Sequence, residues 1–274
     1  MTNLNLITAL PAVLAVAGVM AAPPAGVTAL KPASEAAWMT YIKVTDSRIA
    51  TELVAAPRFL ALDFGPNPAA ARRDVLAGAV VVAPMDAVAT NGLGIEVPGA
   101  MVHHWRGAVF VPGAKLDGLL KKLQSGELGP KQEDVLQSRV IERGPDRMKI
   151  YLQVQRKKFV TVVYNTEHDV TFKRFGTNRA SSASTATKIV EVDSPGTPAE
   201  QEVRPGQDRG FLWRWNAYWR YEQVPGGVIA ECESVSLSRT IPSVLRYVVE
   251  PLVTSTARES MDRTLATFRE RHRG

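Results

Sequence analysis

Glu231 and Glu233 stand two residues apart in a run that also carries Arg214, Tyr218 and Arg220. Alternate residues of a strand share one face, so both carboxylates would project together. Turned inward, Glu231 or Glu233 could act as a general acid or base while Arg214, Arg220 and Tyr218 orient a substrate oxyanion. Turned outward, the same residues form a solvated ladder of ion pairs worth ~0–1 kcal/mol each. The neighbouring residues favour the outward reading. The stretch "GFLWRWNAYWRYEQVPGGVIAECESVSLSR", Gly210 to Arg239, holds three of the chain's five tryptophans. With Pro225-Gly226 as a two-residue turn, Val224 opposes Gly227, Trp219 faces Cys232, Ala217 faces Ser234 and Trp215 faces Ser236. Arg220 then faces Glu231 and Tyr218 faces Glu233, on the opposite side. Burying a large aromatic is worth a few kcal/mol, so the tryptophan side is expected to face inward. Large rings set against Ser and Cys leave room, which suits a ligand cavity.

Other chemistry is scarce. His103 and His104 are adjacent on a strand and point to opposite faces, so they cannot chelate one metal, and His168 adds no zinc spacing. Cys232 is the single cysteine, which excludes an intramolecular disulfide, and it reads as a small buried hydrophobe. No phosphate-binding loop and no nucleophile elbow is present. No metal and no cofactor is expected.

The elements that must position these residues follow from pattern. Ser34 is placed to cap a helix to about Val54, with Trp38, Ile42, Ile49 and Leu53 on one stripe. Asn67, Pro68 and Gly78 punctuate a second helix, and Ala79 to Ala83 reads as a buried strand. "GAMVHHWRGAVFVPG" is the next strand, followed by a short helix with Leu116, Leu119, Leu120 and Leu123 on one side. "DVLQSRVIERG", "DRMKIYLQVQRKK", "FVTVVYNTEHDVTFKRF" and "STATKIVEVD" read as an antiparallel meander. Pro251 is expected to separate Ser243 to Glu250 from a long final helix ending near Arg271. That helix carries Leu252, Ala257, Met261, Leu265 and Phe268 on its stripe and small polar residues, Thr256 and Ser260 among them, in its middle.

The chain has 274 residues, a formal charge of +6, 45% hydrophobic and 22% charged residues, an ordinary globular balance. Up to Pro98 there are six Lys/Arg against seven Asp/Glu, so the basic excess lies later, spread through strand-like segments beside acids. No nucleic-acid-binding signature accompanies it, and a nucleic-acid partner is not expected. Residues 1–29 carry the apolar run "LITALPAVLAVAGVMAA" followed by "PPAGVTA", which reads as a signal peptide and points to export, periplasmic or extracellular. Asn3, Asn5, Pro11 and the lack of an early Lys or Arg depart from the usual pattern.

The layout of strand, short helix, antiparallel strands and long C-terminal helix resembles the START-like, or SRPBCC, superfamily with its helix-grip fold. The resemblance rests on "HHWRGAVFVPGAKLDGLLKKL", "GGVIAECESVSLSRTIP" and "PLVTSTARESMDRTLATFRER", extends from about Gly99 to Arg271, and includes a likeness to exported bacterial members. It implies an α+β fold in which a curved antiparallel sheet grips the last helix, with residues 99–274 as the ligand-binding domain; residues 30–98 lie outside the usual pattern and are expected to form a helical extension that adds a strand. It implies no catalytic residue, because the superfamily shares no catalytic motif and hosts carriers, receptors and enzymes alike. The expected role is binding or carrying a lipid, isoprenoid or polyketide-like molecule, with peripheral membrane contact a compatible partner mode and the oligomeric state open. Trp213, Trp215, Trp219, Cys232, Ser234, Ser236, Thr256 and Ser260 would line the cavity, with His103 or Trp105 near its mouth. The alternative is a cyclase or hydrolase using the Arg/Glu/Tyr ladder in the same cavity.

Overall fold

The computed structural model describes residues 30–89, 91–126, 134–157, 161–240 and 246–274, with side chains of 156–157 and 246–257 outside that description. The leader-like segment 1–29 and the side chain of Thr256 therefore lie outside the described residues.

Helix α1 (Pro32–Leu53) begins with Pro32 in its first turn, where a missing N–H costs nothing. Ser34 does not cap it: Lys31 holds that position, and the buried Ser34 hydroxyl donates instead to the Pro98 carbonyl at 2.6 Å. A one-turn 3-10 helix (Ala61–Phe64) and α2 (Pro68–Leu76) follow, with Asn67, Pro68 and Gly78 punctuating α2 as expected. The strands are β1 (Val81–Pro84), β2 (Ala100–Pro112), β3 (Val135–Arg143), β4 (Arg147–Lys157), β5 (Thr161–Phe175), β6 (Arg179–Asp193), β7 (Gln201–Glu202), β8 (Arg214–Val224) and β9 (Gly227–Arg239). Helix α3 (Leu116–Ser125) interrupts them after β2, and α4 (Arg246–His272) ends the chain. The final helix runs through Pro251 rather than starting at it. A proline so near a helix start removes a single ladder bond, which the flanking turns tolerate. No described helix is long and apolar enough to cross a membrane.

All pairings are antiparallel, in the order β1-β2-β9-β8-β6-β5-β4-β3, with β7 beside β6. Instead of a buried strand, β1 is a half-buried edge strand beside β2. The β8–β9 hairpin turns at Pro225-Gly226, where Gly226 takes a left-handed φ of 82°. Its register sets Trp219 opposite Cys232 and Arg220 opposite Glu231, as the turn chemistry requires.

The sheet is covered on both sides. On the concave side, Met261, Leu265 and Phe268 of α4 and the leucines of α3 pack against Val109, Val111, Tyr221, Ala230 and Cys232. On the convex side, α1 sets Trp38, Tyr41, Ile42 and Ile49 on Val235 and Leu237, while Phe59, Leu60 and Leu62 cover Ala108 and Ile229. The approach of α4 depends on Gly107. A Cβ there would lie 2.5 Å from Leu265 Cδ1 and 2.9 Å from Met261 Cγ. Valine suits a strand backbone, so Gly107→Val tests the contact alone. It should lower stability in urea unfolding by about 1–3 kcal/mol. An unchanged midpoint would mean that the helix is not seated there.

Candidate functional site

Because strand side chains alternate, the two expected faces of the hairpin exist, but they are closed by different parts of the chain. The charged ladder is not solvated. Glu231 is 1% exposed, Glu233 2% and Arg220 2%, beneath α1 and the 3-10 turn. Each member has a defined partner. The amides of Ala61 and Leu62 donate to the two oxygens of Glu231, the second at 2.8 Å, so this side chain caps the 3-10 turn from 170 residues away. Arg220 donates to Glu52 at 2.6 Å and to the Phe59 carbonyl at 2.9 Å. Arg48 joins Glu52 at 2.9 Å and also bonds Glu233.

His104 completes this layer. The Ala87 amide donates to the Tyr41 hydroxyl at 3.0 Å, Tyr41 Oη is hydrogen-bonded to His104 Nδ1 at 2.8 Å, and His104 Nε2 donates to Glu233 Oε1 at 2.7 Å. Burial would raise the Glu233 carboxyl, but the bond from His104 and the charges of Arg48 and Arg220 more than offset it and hold it below the usual carboxylate range. Burial pushes the Glu231 carboxyl up, against the pull of Arg220 and the two amides. Nearer the edge, Arg72 bridges Asp63 and Glu222, and Arg179 meets Glu222 at 2.8 Å. Arg214, the remaining ladder arginine, stands apart and pairs with Glu35 of α1. Tyr218 packs in the convex cluster, its hydroxyl pushed up by burial.

The ladder thus lies across the sheet from α4, so it does not share the concave face expected to hold a ligand. The tryptophans divide as well. Trp213 precedes β8 and packs with the convex cluster, its indole nitrogen buried without a partner. Trp219 faces α4 and stacks on Phe268 with ring centroids 4.8 Å apart. Cys232 sits in the packed core beneath α4, and burial pushes its thiol well up, which removes it as a nucleophile.

What remains half-exposed on the concave side is a strip further along the same strands. Trp105, His103, Ser234, Ser236, Trp215 and Ala217 occupy it. Trp215 donates to Ser234 Oγ at 3.2 Å and meets the buried His168 edge-on at 5.1 Å. His168, rejected as a metal ligand from sequence, is a fixed polar wall: Thr166 Oγ1 lies 3.0 Å from its Nε2 and Ser184 Oγ 3.2 Å from its Nδ1. The signal that could have placed it is period-two alternation, since Thr166, His168 and Val170 share a face. Burial lowers both His103 and His168 to about 4. Ser260 of α4 is half-buried.

Two clefts lie elsewhere. One of about 480 Å³ runs outside α1 past Val44, Arg48, Glu52 and Phe64. The other, about 250 Å³, lies under α3 by Asp117, Phe172 and Arg174. Among the described residues no three His, Cys, Asp or Glu side chains converge on a metal position.

A nine-stranded curved antiparallel sheet that grips its C-terminal helix defines a helix-grip, START-like fold. No family model matches the chain, and no curated protein sequence matches it. Among solved structures, the STAR-related lipid transfer protein fragment from Xanthomonas axonopodis is 17% identical with a TM-score of 0.42, covering 64% of this chain and 96% of that one. The lipid transfer and protein localization domain of human StarD13 is 11% identical with a TM-score of 0.42, covering 78% and 97%. The Zhui aromatase/cyclase from a Streptomyces species is 12% identical with a TM-score of 0.36, covering 64% and 98%.

Two outcomes follow from these environments. Glu231→Gln keeps the shape but unbalances Arg220 and Arg106, and should cost about 3–5 kcal/mol in chemical denaturation, far from the near-neutral change of a surface ladder. The second concerns acid. A histidine held at about 4 in the folded state and near 6.5 when unfolded takes up its proton preferentially on unfolding. Stability should therefore fall as pH drops from about 6.5 to 4, by roughly 1 kcal/mol per pH unit for each such histidine. Glu233, depressed in the folded state, adds a loss only at lower pH, below its unfolded value. Denaturant midpoints across this range check both, and His168→Gln should flatten the upper part of the slope.

Proposed function

We propose that the concave strip holds a hydrophobic or amphipathic small molecule, so that the protein is a ligand-binding or carrier module. The carrying observation is the contrast between the two faces. The convex face is sealed by buried ion pairs and apolar clusters, whereas the concave strip leaves Trp105, Trp215, Ala217, Ser234 and Ser236 half-exposed on a rigid sheet. Aromatic walls with a few fixed polar groups are the usual make-up of a small-molecule site. The lipid transfer named for two of the compared proteins is compatible with this reading, as is the leader-like segment 1–29 with an exported carrier. A ligand seated on this strip would be separated from Glu231 and Glu233 by the sheet itself, which disfavours acid–base catalysis by the ladder.

Ala217 provides the test, because it lies between Trp215 and Trp219 on the strip and faces Ser234. Ala217→Phe should fill the site, weaken ligand binding at least about tenfold, equivalent to roughly 1.4 kcal/mol, and leave the fold intact. The measurement is mass spectrometry of co-purifying small molecules, followed by tryptophan-quenching titration of the ligand found. Undiminished binding by a folded Ala217→Phe protein would place the ligand elsewhere.

A further inference from the structure

The larger of the two clefts, about 480 Å³, belongs neither to the concave strip nor to the sealed ladder beneath α1. Its volume falls in the range of small-molecule sites. One wall is a single stripe of α1 and its end, because Val44, Arg48, Thr51 and Ala55 recur at helical spacing. Val88 and Phe64 line it from two other segments of the chain, and Val88 remains exposed there. Four apolar side chains brought together in this way offer an apolar chain more than any of them would singly.

The charge in the cleft has one sign once the paired groups are set aside. Glu52 is held between Arg48 at 2.9 Å and Arg220 at 2.6 Å, and Arg48 also bonds Glu233. Arg58, which lines the same cleft, is the surplus. It is exposed, lies over the Phe64 ring at 4.3 Å, and has no acidic partner among the described residues. Neither residues 1–29 nor Thr90 near Val88 adds an acid. The exposed Asp86 acts on the Tyr41 phenol, one turn before Val44, at the end of the stripe away from Ala55 and Arg58.

We propose that this cleft is a second ligand site, for an amphipathic anion of the long-chain carboxylate class, with its chain along the apolar walls and its carboxylate on Arg58. The charged layer and the sheet separate it from the concave strip, so it goes beyond the carrier reading and is occupied independently. An exposed ion pair contributes little, so the walls supply the affinity and Arg58 supplies the preference for an anionic head. A planar guanidinium suits both oxygens of a carboxylate.

The test is calorimetric titration of decanoate, decanol and decylamine into the full chain carrying Ala217→Phe, in which the strip is filled, at neutral pH and low ionic strength. Decanoate should bind best, decanol about twofold to fivefold more weakly, the worth of one exposed ion pair, and decylamine most weakly. Added salt should erase the gap between decanoate and decanol. Arg58→Gln should close the same gap at low salt while leaving decanol binding unchanged. Ala55→Phe and, independently, Val88→Asp should each weaken decanoate at least about tenfold. Val88 is exposed, so its replacement keeps the fold, which circular dichroism checks. No decanoate binding, or binding that both Ala55→Phe and Val88→Asp leave untouched, would overturn the site. Equal binding of decanoate and decanol, or a preference that survives Arg58→Gln, would overturn the anionic class. Neither result touches the concave strip, whose ligand is measured with Ala217 intact.

Discussion

Everything in this molecule is arranged around a layer of charge that has been taken out of water. Arg48, Arg72, Arg106, Arg179 and Arg220 meet Glu52, Asp63, Glu222, Glu231 and Glu233 between the convex face of the sheet and the segment that precedes it. Among these described groups the formal charges balance, which is the condition for burying them at all. Ion pairs of this kind add little net stability, because desolvation consumes most of the Coulombic gain, but removing one partner leaves the other stranded. Their effect is therefore on specificity. Helix α1 can dock in one position and rotation only, with Arg48 over Glu233 and Glu52 over Arg220, and Tyr41 reaching His104. The region before residue 99 is thus an integral layer of the fold, although the usual helix-grip layout needs no such layer.

That constraint fixes the division of labour between the faces. A strand whose residues alternate between Cys or Ser and Glu can serve two environments only if its register never slips. The Pro225-Gly226 turn sets the register of β8 and β9, and β2 repeats the same alternation, with His104 and Arg106 on one side and His103 and Trp105 on the other. The concave strip inherits its rigidity from this arrangement. Its side chains project from strands pinned on their far side by short, charge-assisted bonds, so the site needs little ordering when a ligand arrives.

Much of this was legible in the sequence, and the limits have physical causes. The hairpin register, the helix punctuation at Asn67-Pro68 and Gly78, and the meander all depend on local chemistry, which sequence records directly. The burial of the ladder depends on Arg48, Glu52 and the amides of Ala61 and Leu62, well over a hundred residues away, and no local pattern in the hairpin records those partners. A trace of the answer was present. Tyr41, Thr45, Arg48 and Glu52 follow helical spacing beside the Trp38, Ile42 and Ile49 stripe, so polar groups stood at core-facing positions, a pattern that demands partners. "GGVIAE" likewise lacks alternation, as expected of a strand covered on both faces. Trp213 departs from the strand alternation because β8 begins only at Arg214, one residue later.

The cap that Glu231 places on the turn at Ala61 and Leu62 also orders events in time. A contact spanning 170 residues can close only after nearly the whole chain is available. The segment that is synthesised early therefore keeps the amides of Ala61 and Leu62, and the arm of Arg48 that meets Glu233, without their carboxylate partners until β9 arrives. A nascent chain stalled before Glu231 would offer its front layer His104, Arg220 and Glu222 but not the carboxylates that meet Ala61, Leu62 and Arg48, so that layer would be only part-docked.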